Sequence, residues 1–117
     1  MKEWIIFNNR EGLLRVPVEH IVYIEADGNY SCIVTRNKLK GVVAISLARL
    51  EQQLSAELGE GARAFMRIGK RFIIATKFVY SINLAKQHLV LSDSATFAFQ
   101  LPVSKEALRA MRNLFLE

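Results

Sequence analysis

Six basic residues lie between positions 61 and 92, and no aspartate or glutamate lies among them. They alternate with apolar runs that are typical of β-strands, as in FMRIGKRFIIATKFVYSI. A second segment without acids, positions 28–50, adds four more basic residues. Positive side chains that no neighbouring carboxylate neutralises favour contact with a polyanion, and on a β scaffold they indicate a nucleic-acid-binding surface. The basic residues of the two segments are Arg36, Lys38, Lys40, Arg49, Arg63, Arg67, Lys70, Arg71, Lys77 and Lys86.

The composition agrees with a basic globular chain. It has 117 residues and a formal net charge of +5, and this length fits a single domain over residues 1–117. The hydrophobic content of 51% is too high for a disordered basic tail. The one cysteine, Cys32, excludes a disulfide within the chain and a thiolate-rich metal site, and we expect neither a metal nor another cofactor. Cys32 lies in the apolar run YSCIVT, and we expect it to be a buried apolar residue.

The sequence shows none of the features that are typical of a membrane protein or of an enzyme. No apolar run reaches the length of a signal-peptide core or the roughly 20 residues that span a bilayer. We therefore expect a cytoplasmic protein without a membrane partner. Neither His20 nor His88 has a nucleophilic residue at a spacing that would bring the two side chains together, and no glycine-rich loop leads into a helix. We therefore expect no enzymatic activity.

The elements that must carry the charges are mostly short strands. Asp27-Gly28-Asn29 is the strongest turn signal, because Asp-Gly readily supplies the positive φ of a tight hairpin. Leucines at positions 47, 50, 54 and 58 follow Ser46 and predict an amphipathic helix in the middle of the chain. Ser104 precedes a C-terminal helix whose apolar stripe is Leu108, Met111 and Phe115. Further strands are predicted at positions 4–7, 13–16, 65–68, 72–75, 79–84, 88–91 and 97–101.

Four segments, in this order, resemble LytTR-type DNA-binding domains: HIVYIEADGNYSCIVT, SLARLEQQL, FMRIGKRFIIATKFVYSI and LPVSKEALRAM. The resemblance covers nearly the whole chain. It implies a mainly β fold, an elongated stack of antiparallel sheets with one short helix in the middle and one at the C-terminus. It also implies a bacterial transcription regulator whose loops insert into successive major grooves of double-stranded DNA.

The resemblance also has implications for partners. Such domains are usually the output domain of a response regulator, attached to a receiver domain, and this chain has none. It would then be a stand-alone regulator or a fragment of a longer one, with a signalling partner or receiver domain elsewhere. Two copies are expected to bind direct repeats about one helical turn apart, as a homodimer on DNA.

The resemblance places three groups of residues at the DNA. One is the hairpin loop after the IEA strand, one is the loop inside FMRIGKRFII, and one follows PVS near the C-terminus. Two of the three groups are basic, in agreement with the charge pattern. The DNA-binding residues implied in this way are Asn29, Tyr30, Arg67, Lys70, Arg71 and Lys105.

The second of these loops departs from the family pattern. Many members read R-x-H-R-S-Y-x-V-N where this chain reads RIGKRFIIA at positions 67–75. Gly69, Arg71 and Ala75 replace the histidine, the serine and the closing asparagine, so the charge of the loop is kept or increased. Because arginine can hold a guanine edge with two bonds while lysine acts as a point charge, we expect Arg71 to contact a base and Lys70 a phosphate.

Each predicted site also has an ordinary structural interpretation. Lys70 and Arg71 can form a solvated turn, Asn29 can simply adopt a left-handed conformation, Tyr30 can pack at a strand start, and Lys105 can be a solvated lysine. For the whole chain, the alternative function is a β-rich interaction module that binds an acidic partner protein. Peripheral binding to anionic lipid is a further alternative, although neither helix combines a strongly basic face with bulky aromatics.

Overall fold

The computed structural model describes residues 2–117, and these fold into ten strands and two α-helices. The strands form three antiparallel sheets, so the mainly β class and the two predicted helices are confirmed. The chain divides into two compact units, with the boundary between Thr76 and Lys77.

The first unit contains a two-stranded hairpin, a five-stranded antiparallel sheet and one helix. The sheet has the strand order β5-β4-β3-β7-β6, and the helix connects β5 to β6. Short 3-10 turns occupy Val18–His20 and Gly59–Ala64. The elements are β1 (Trp4–Asn9), β2 (Gly12–Pro17), β3 (Ile21–Asp27), β4 (Tyr30–Thr35), β5 (Lys40–Val43), α1 (Leu47–Leu58), β6 (Phe65–Ile68) and β7 (Phe72–Ala75).

Helix α1 begins and ends where the sequence predicts. The Ser46 hydroxyl accepts a hydrogen bond from the Arg49 N–H at 3.3 Å, which satisfies one of the free donors at the helix start. Gly59 follows the last turn with φ 54°, a conformation that glycine adopts without strain. The apolar stripe Leu47, Leu50, Leu54 and Leu58 is buried.

The core of the first unit lies on one face of the five-stranded sheet. Ile24 of β3 is paired with Ile33 of β4 and Ile73 of β7, and all three are buried in one cluster with the leucines of α1. The hairpin adds Ile5 and Phe7, which are fully buried. Each such side chain stabilises the fold by about 1.5–3 kcal/mol, so the sheet, the helix and the hairpin depend on one another.

The second unit contains a three-stranded antiparallel sheet and helix α2. The strand order is β10-β9-β8, and the buried residues Leu89, Leu91 and Leu101 come from β9 and β10. Ser104 caps α2 by accepting a hydrogen bond from the Ala107 N–H at 3.2 Å. The elements are β8 (Val79–Asn83), β9 (His88–Ser92), β10 (Ala98–Pro102) and α2 (Lys105–Leu116).

Two expectations about burial are wrong. Phe115 is 50% exposed, so the buried stripe of α2 ends at Met111. Cys32, expected to be a buried apolar residue, is half-buried opposite Val42, which is itself exposed on β5. Desolvation is the main cause of a raised pKa of the Cys32 thiol.

Neither α1 nor α2 is long and apolar enough to cross a membrane. Among residues 2–117, no three histidine, cysteine, aspartate or glutamate side chains are grouped so that they could hold a metal ion.

Candidate nucleic-acid interface

Two hairpin turns lie side by side at one end of the five-stranded sheet. Glu25 of β3 is paired with Phe72 of β7, and Phe72 is paired with Ile68 of β6. The Ala26 N–H donates to the Arg71 carbonyl at 2.8 Å, which continues the β3–β7 pairing to the sheet end. The β3–β4 turn (residues 28–29) and the β6–β7 turn (residues 69–71) are therefore neighbours on the same rigid sheet.

The β3–β4 turn is the tight hairpin that the Asp-Gly signal predicts. Asp27 and Tyr30 are paired across it, and Gly28 has φ 61°, in the left-handed region that glycine accepts without strain. Asn29 is exposed, and its amide has no hydrogen-bond partner among residues 2–117. The amide is therefore available to a ligand.

Tyr30 connects this turn to the preceding hairpin. Its hydroxyl donates to the Glu11 Oε2 atom at 2.6 Å, and Glu11 lies in the turn between β1 and β2. This hydrogen bond is the largest cause of a raised pKa of the Tyr30 phenol, because the carboxylate acceptor favours the protonated form. The side chain is 37% exposed, so part of the ring faces solvent beside Asn29.

The β6–β7 turn presents two basic side chains. Gly69 has φ 57°, so this turn also uses the conformational freedom of glycine. The Lys70 ammonium is exposed and forms no ion pair in the described part of the chain. The Arg71 Nη2 atom lies 2.7 Å from Glu25 Oε2, and Arg71 Nε donates to the same oxygen at 2.9 Å.

Arg67 maintains the shape of the same turn. Its Nε atom donates to the Gly69 carbonyl at 2.8 Å, and its Nη1 atom lies 3.0 Å from Glu51 Oε1 on α1. The side chain is only 25% exposed, so most of it is covered. Its guanidinium already has a backbone partner and a carboxylate partner.

The premise that no acid neutralises the basic segment is wrong for at least two of its six cations. Glu25 and Glu51 are distant in sequence, but β3 and α1 bring them to Arg71 and Arg67. A segment without acids therefore does not form a surface without acids. Lys70 keeps its full charge at the sheet end, whereas Arg71 shares its charge with a carboxylate.

The structure brings five of the six predicted residues together, all in the first unit. Asn29 and Tyr30 come from one turn and Arg67, Lys70 and Arg71 from the other. Lys105 belongs to the second unit, where it is the first residue of α2 and is exposed directly after the Ser104 cap.

Two arginines that the sequence interpretation did not assign to the site also lie near the β3–β4 turn. Arg10 lies in the turn between β1 and β2, and Arg49 lies in the first turn of α1; together with Asn29 both line one cleft. Arg49 had a sequence signal, because it belongs to the acid-free positions 28–50. Arg10 had none, because Glu11 follows it directly.

The chain is similar to known proteins in sequence and in fold. A family model described as the LytTr DNA-binding domain matches residues 11–116. A LytTr DNA-binding domain from Bacillus cereus, assigned to a methyl-accepting/DNA response regulator, has a similar structure with a TM-score of 0.68. The two sequences are 21% identical, and the match covers 98% of each chain. A comparison with curated proteins found no match.

Proposed function

The chain belongs to the LytTR family of DNA-binding domains, and from this we propose that it binds duplex DNA sequence-specifically and regulates transcription. Base contacts come from turns inserted into the major groove, and the surrounding cations supply affinity and register. One structural observation carries this proposal. The two turns bearing Asn29, Lys70 and Arg71 project from neighbouring strand pairs of one sheet.

The spacing of the turns supports insertion into DNA. The β3–β4 and β6–β7 hairpins are adjacent strand pairs, and strands lie about 4.8 Å apart, so the turn centres are separated by about 10 Å. The major groove is about 12 Å wide. The two turns therefore fit the same groove, or one groove and the phosphates that border it.

We assign separate roles to the residues of the turns. Asn29 has a free amide that can read adenine with two hydrogen bonds, and Tyr30 contacts the DNA with the exposed part of its ring. Lys70 binds a phosphate as a point charge. Arg71 reads a guanine edge after exchanging Glu25 for the base, and Arg67 supports the turn and adds positive potential.

Lys105 supplies a further phosphate contact in the second unit. It is the first residue of α2, where a cation is unfavourable beside the helix dipole and an anion is favourable. A phosphate between the Lys105 ammonium and the first N–H groups of the helix would stabilise this arrangement. In the regulator that we propose, two copies bind direct repeats about one helical turn apart, and a receiver domain or another signalling protein controls them.

Selection of bound duplexes from a random pool, followed by sequencing, tests the proposal most directly. We expect a preferred sequence and an affinity that falls with salt, with a slope of log affinity against log salt near −4 to −5 if about five phosphates are neutralised. Arg71→Ala should cost about 1–3 kcal/mol and relax the preference at one position. Salt-independent affinity, or no binding to any duplex, would refute the proposed function. An equal loss on all sequences would make Arg71 a phosphate contact.

A further inference from the structure

A polar cleft of about 550 Å³ lies beside the β3–β4 turn. Three separate segments form its walls: the β1–β2 turn, the β3–β4 turn and the junction of β5 with α1. Its polar lining includes Asn8, Arg10, Asn29, Ser46 and Arg49, and no carboxylate of the described chain lines it. The cleft thus collects hydrogen-bond donors and positive charge in a concave surface.

Four side chains of this cleft have no hydrogen-bond partner among the described residues, whereas the Asn9 amide donates to the Gly12 carbonyl at 3.1 Å. Neither Arg10 nor Arg49 forms an ion pair or a side-chain hydrogen bond among residues 2–117, and the same holds for the Asn8 and Asn29 amides. The nearest acid in sequence, Glu11, accepts the Tyr30 hydroxyl instead. The guanidinium groups of Arg10 and Arg49 therefore have no carboxylate partner in this cleft.

Two consecutive residues at the start of β4 hold the walls in place. The Tyr30 hydroxyl binds Glu11 at 2.6 Å and so holds the β1–β2 turn. The Ser31 hydroxyl donates to the Ile45 carbonyl at 2.7 Å and holds the segment that leads into α1. Ser31 is fully buried, so this second hydrogen bond is shielded from water. These two hydrogen bonds hold the walls of the cleft together without a ligand.

We propose that this cleft binds a phosphate group of the DNA backbone, held between Arg10 and Arg49. This inference rests on the proposed function. Asn29 belongs both to the cleft and to the turn proposed to enter the groove, so a duplex that takes the turn has backbone phosphates within reach of the cleft. Guanidinium groups match the tetrahedral phosphate with paired hydrogen bonds, which favours phosphate over a halide or a hydroxyl ligand.

The double variant Arg10→Gln/Arg49→Gln tests the assignment by its effect on duplex binding and salt dependence. We expect about tenfold weaker binding to the preferred duplex and to random duplexes alike, because a phosphate carries no sequence information. The magnitude of the salt slope should fall by about 0.9, corresponding to one phosphate. Arg109→Gln/Arg112→Gln is the charge-matched control: both arginines are exposed on α2 and belong to neither basic segment, and we expect it to change neither quantity.

A second measurement identifies the source of the phosphate. Inorganic phosphate titrated into the wild-type protein should shift the amide NMR signals of Asn29 and Ser46, and these shifts should be absent in the double variant. Phosphate shifts without any effect of the double variant on duplex binding would overturn the assignment to DNA and indicate a free phosphate compound. A loss restricted to the preferred duplex would also overturn it, since the arginines would then read bases.

These outcomes differ from a failure of the proposed function. If the wild-type protein binds no duplex, the DNA-binding proposal fails together with the DNA source of the phosphate. If the wild-type protein binds DNA and the double variant binds equally well with an unchanged salt slope, only the cleft assignment fails.

Discussion

The ion pair between Arg71 and Glu25 should restrain DNA binding, and Glu25→Gln should therefore strengthen it. In the free protein, two guanidinium nitrogens of Arg71 lie 2.7 and 2.9 Å from one Glu25 oxygen. Arg71 must leave this oxygen before it can contact a base. The substitution replaces the charged acceptor with a neutral amide, whose oxygen holds the Arg71 guanidinium less strongly.

The size of the effect follows from the exposure of the pair. The Arg71 side chain is 58% exposed and that of Glu25 is 31% exposed, so solvent screens the interaction. Exposed pairs of this kind contribute about 0.2–1 kcal/mol. With RT near 0.59 kcal/mol, release of Arg71 should tighten DNA binding by up to about fivefold, and the free energy of unfolding should fall by no more than about 1 kcal/mol.

Fluorescence anisotropy with a labelled preferred duplex measures the first quantity, and urea unfolding measures the second. Glu60→Gln is the charge-matched control, because Glu60 is exposed and forms no ion pair in the part of the chain that the structure describes. A gain no larger than that of Glu60→Gln would refute the reasoning. A gain that persists in Glu25→Gln/Arg71→Ala would refute it as well, since the benefit must act through Arg71.

Three further substitutions test how the fold supports this interface. Ser31→Ala should lower the free energy of unfolding by about 1–3 kcal/mol in urea titrations, because the buried Ile45 carbonyl loses its donor. Gly41→Ala should lower the free energy of unfolding by no more than about 1 kcal/mol, because the new Cβ would meet only the methyl end of the Leu14 side chain, which can rotate away, and Leu14→Ala should relieve this loss. Asp93→Asn should flatten the fall in stability below the usual carboxyl pKa of 3.8, measured by thermal unfolding at several pH values. A hydrogen bond from the Thr96 hydroxyl is the largest cause of a lowered Asp93 pKa, so the stability that the carboxylate contributes is present above 3.8 and is lost as pH falls through the folded value.

Each of these expectations has an outcome that contradicts it. Ser55→Ala, at an exposed position on α1, is the control for Ser31→Ala, and equal losses would mean that the Ile45 hydrogen bond is not the cause. Additive effects of Gly41→Ala and Leu14→Ala would show that the two groups do not collide. An unchanged pH profile in Asp93→Asn would show that other carboxylates dominate the acid sensitivity.

Local features of the fold were predictable from the sequence because neighbours in the chain determine them. Ser46 and Ser104 cap the two helices as predicted, and the leucine stripe of α1 is the buried face. Asp27-Gly28 predicted a tight hairpin, and Gly28 has the positive φ that this turn requires. The order of the strands in the sheet was not predictable, since several pairings are compatible with the same apolar runs.

The electrostatics of the candidate site depend on that strand order. Glu25 and Arg71 are 46 positions apart, and they meet because β3 pairs with β7 in one particular register. Glu51 reaches Arg67 only because α1 packs over the same sheet. Charge counted along the chain therefore showed which strands carry the basic residues, but it overestimated how many of these residues are unpaired. The contact of Tyr30 with Glu11 depends in the same way on where the first hairpin lies.

Tyr30 and Ser31 also set a limit on any redesign of the β3–β4 turn. Residues 28 and 29 protrude beyond the sheet and can be exchanged for those of another hairpin of the same length. A transplant that continues into the next two positions would remove the hydrogen bonds to Glu11 and to the Ile45 carbonyl, and would so loosen the β1–β2 turn and the segment that leads into α1. Only residues 28 and 29 can therefore be exchanged without loss of these two hydrogen bonds.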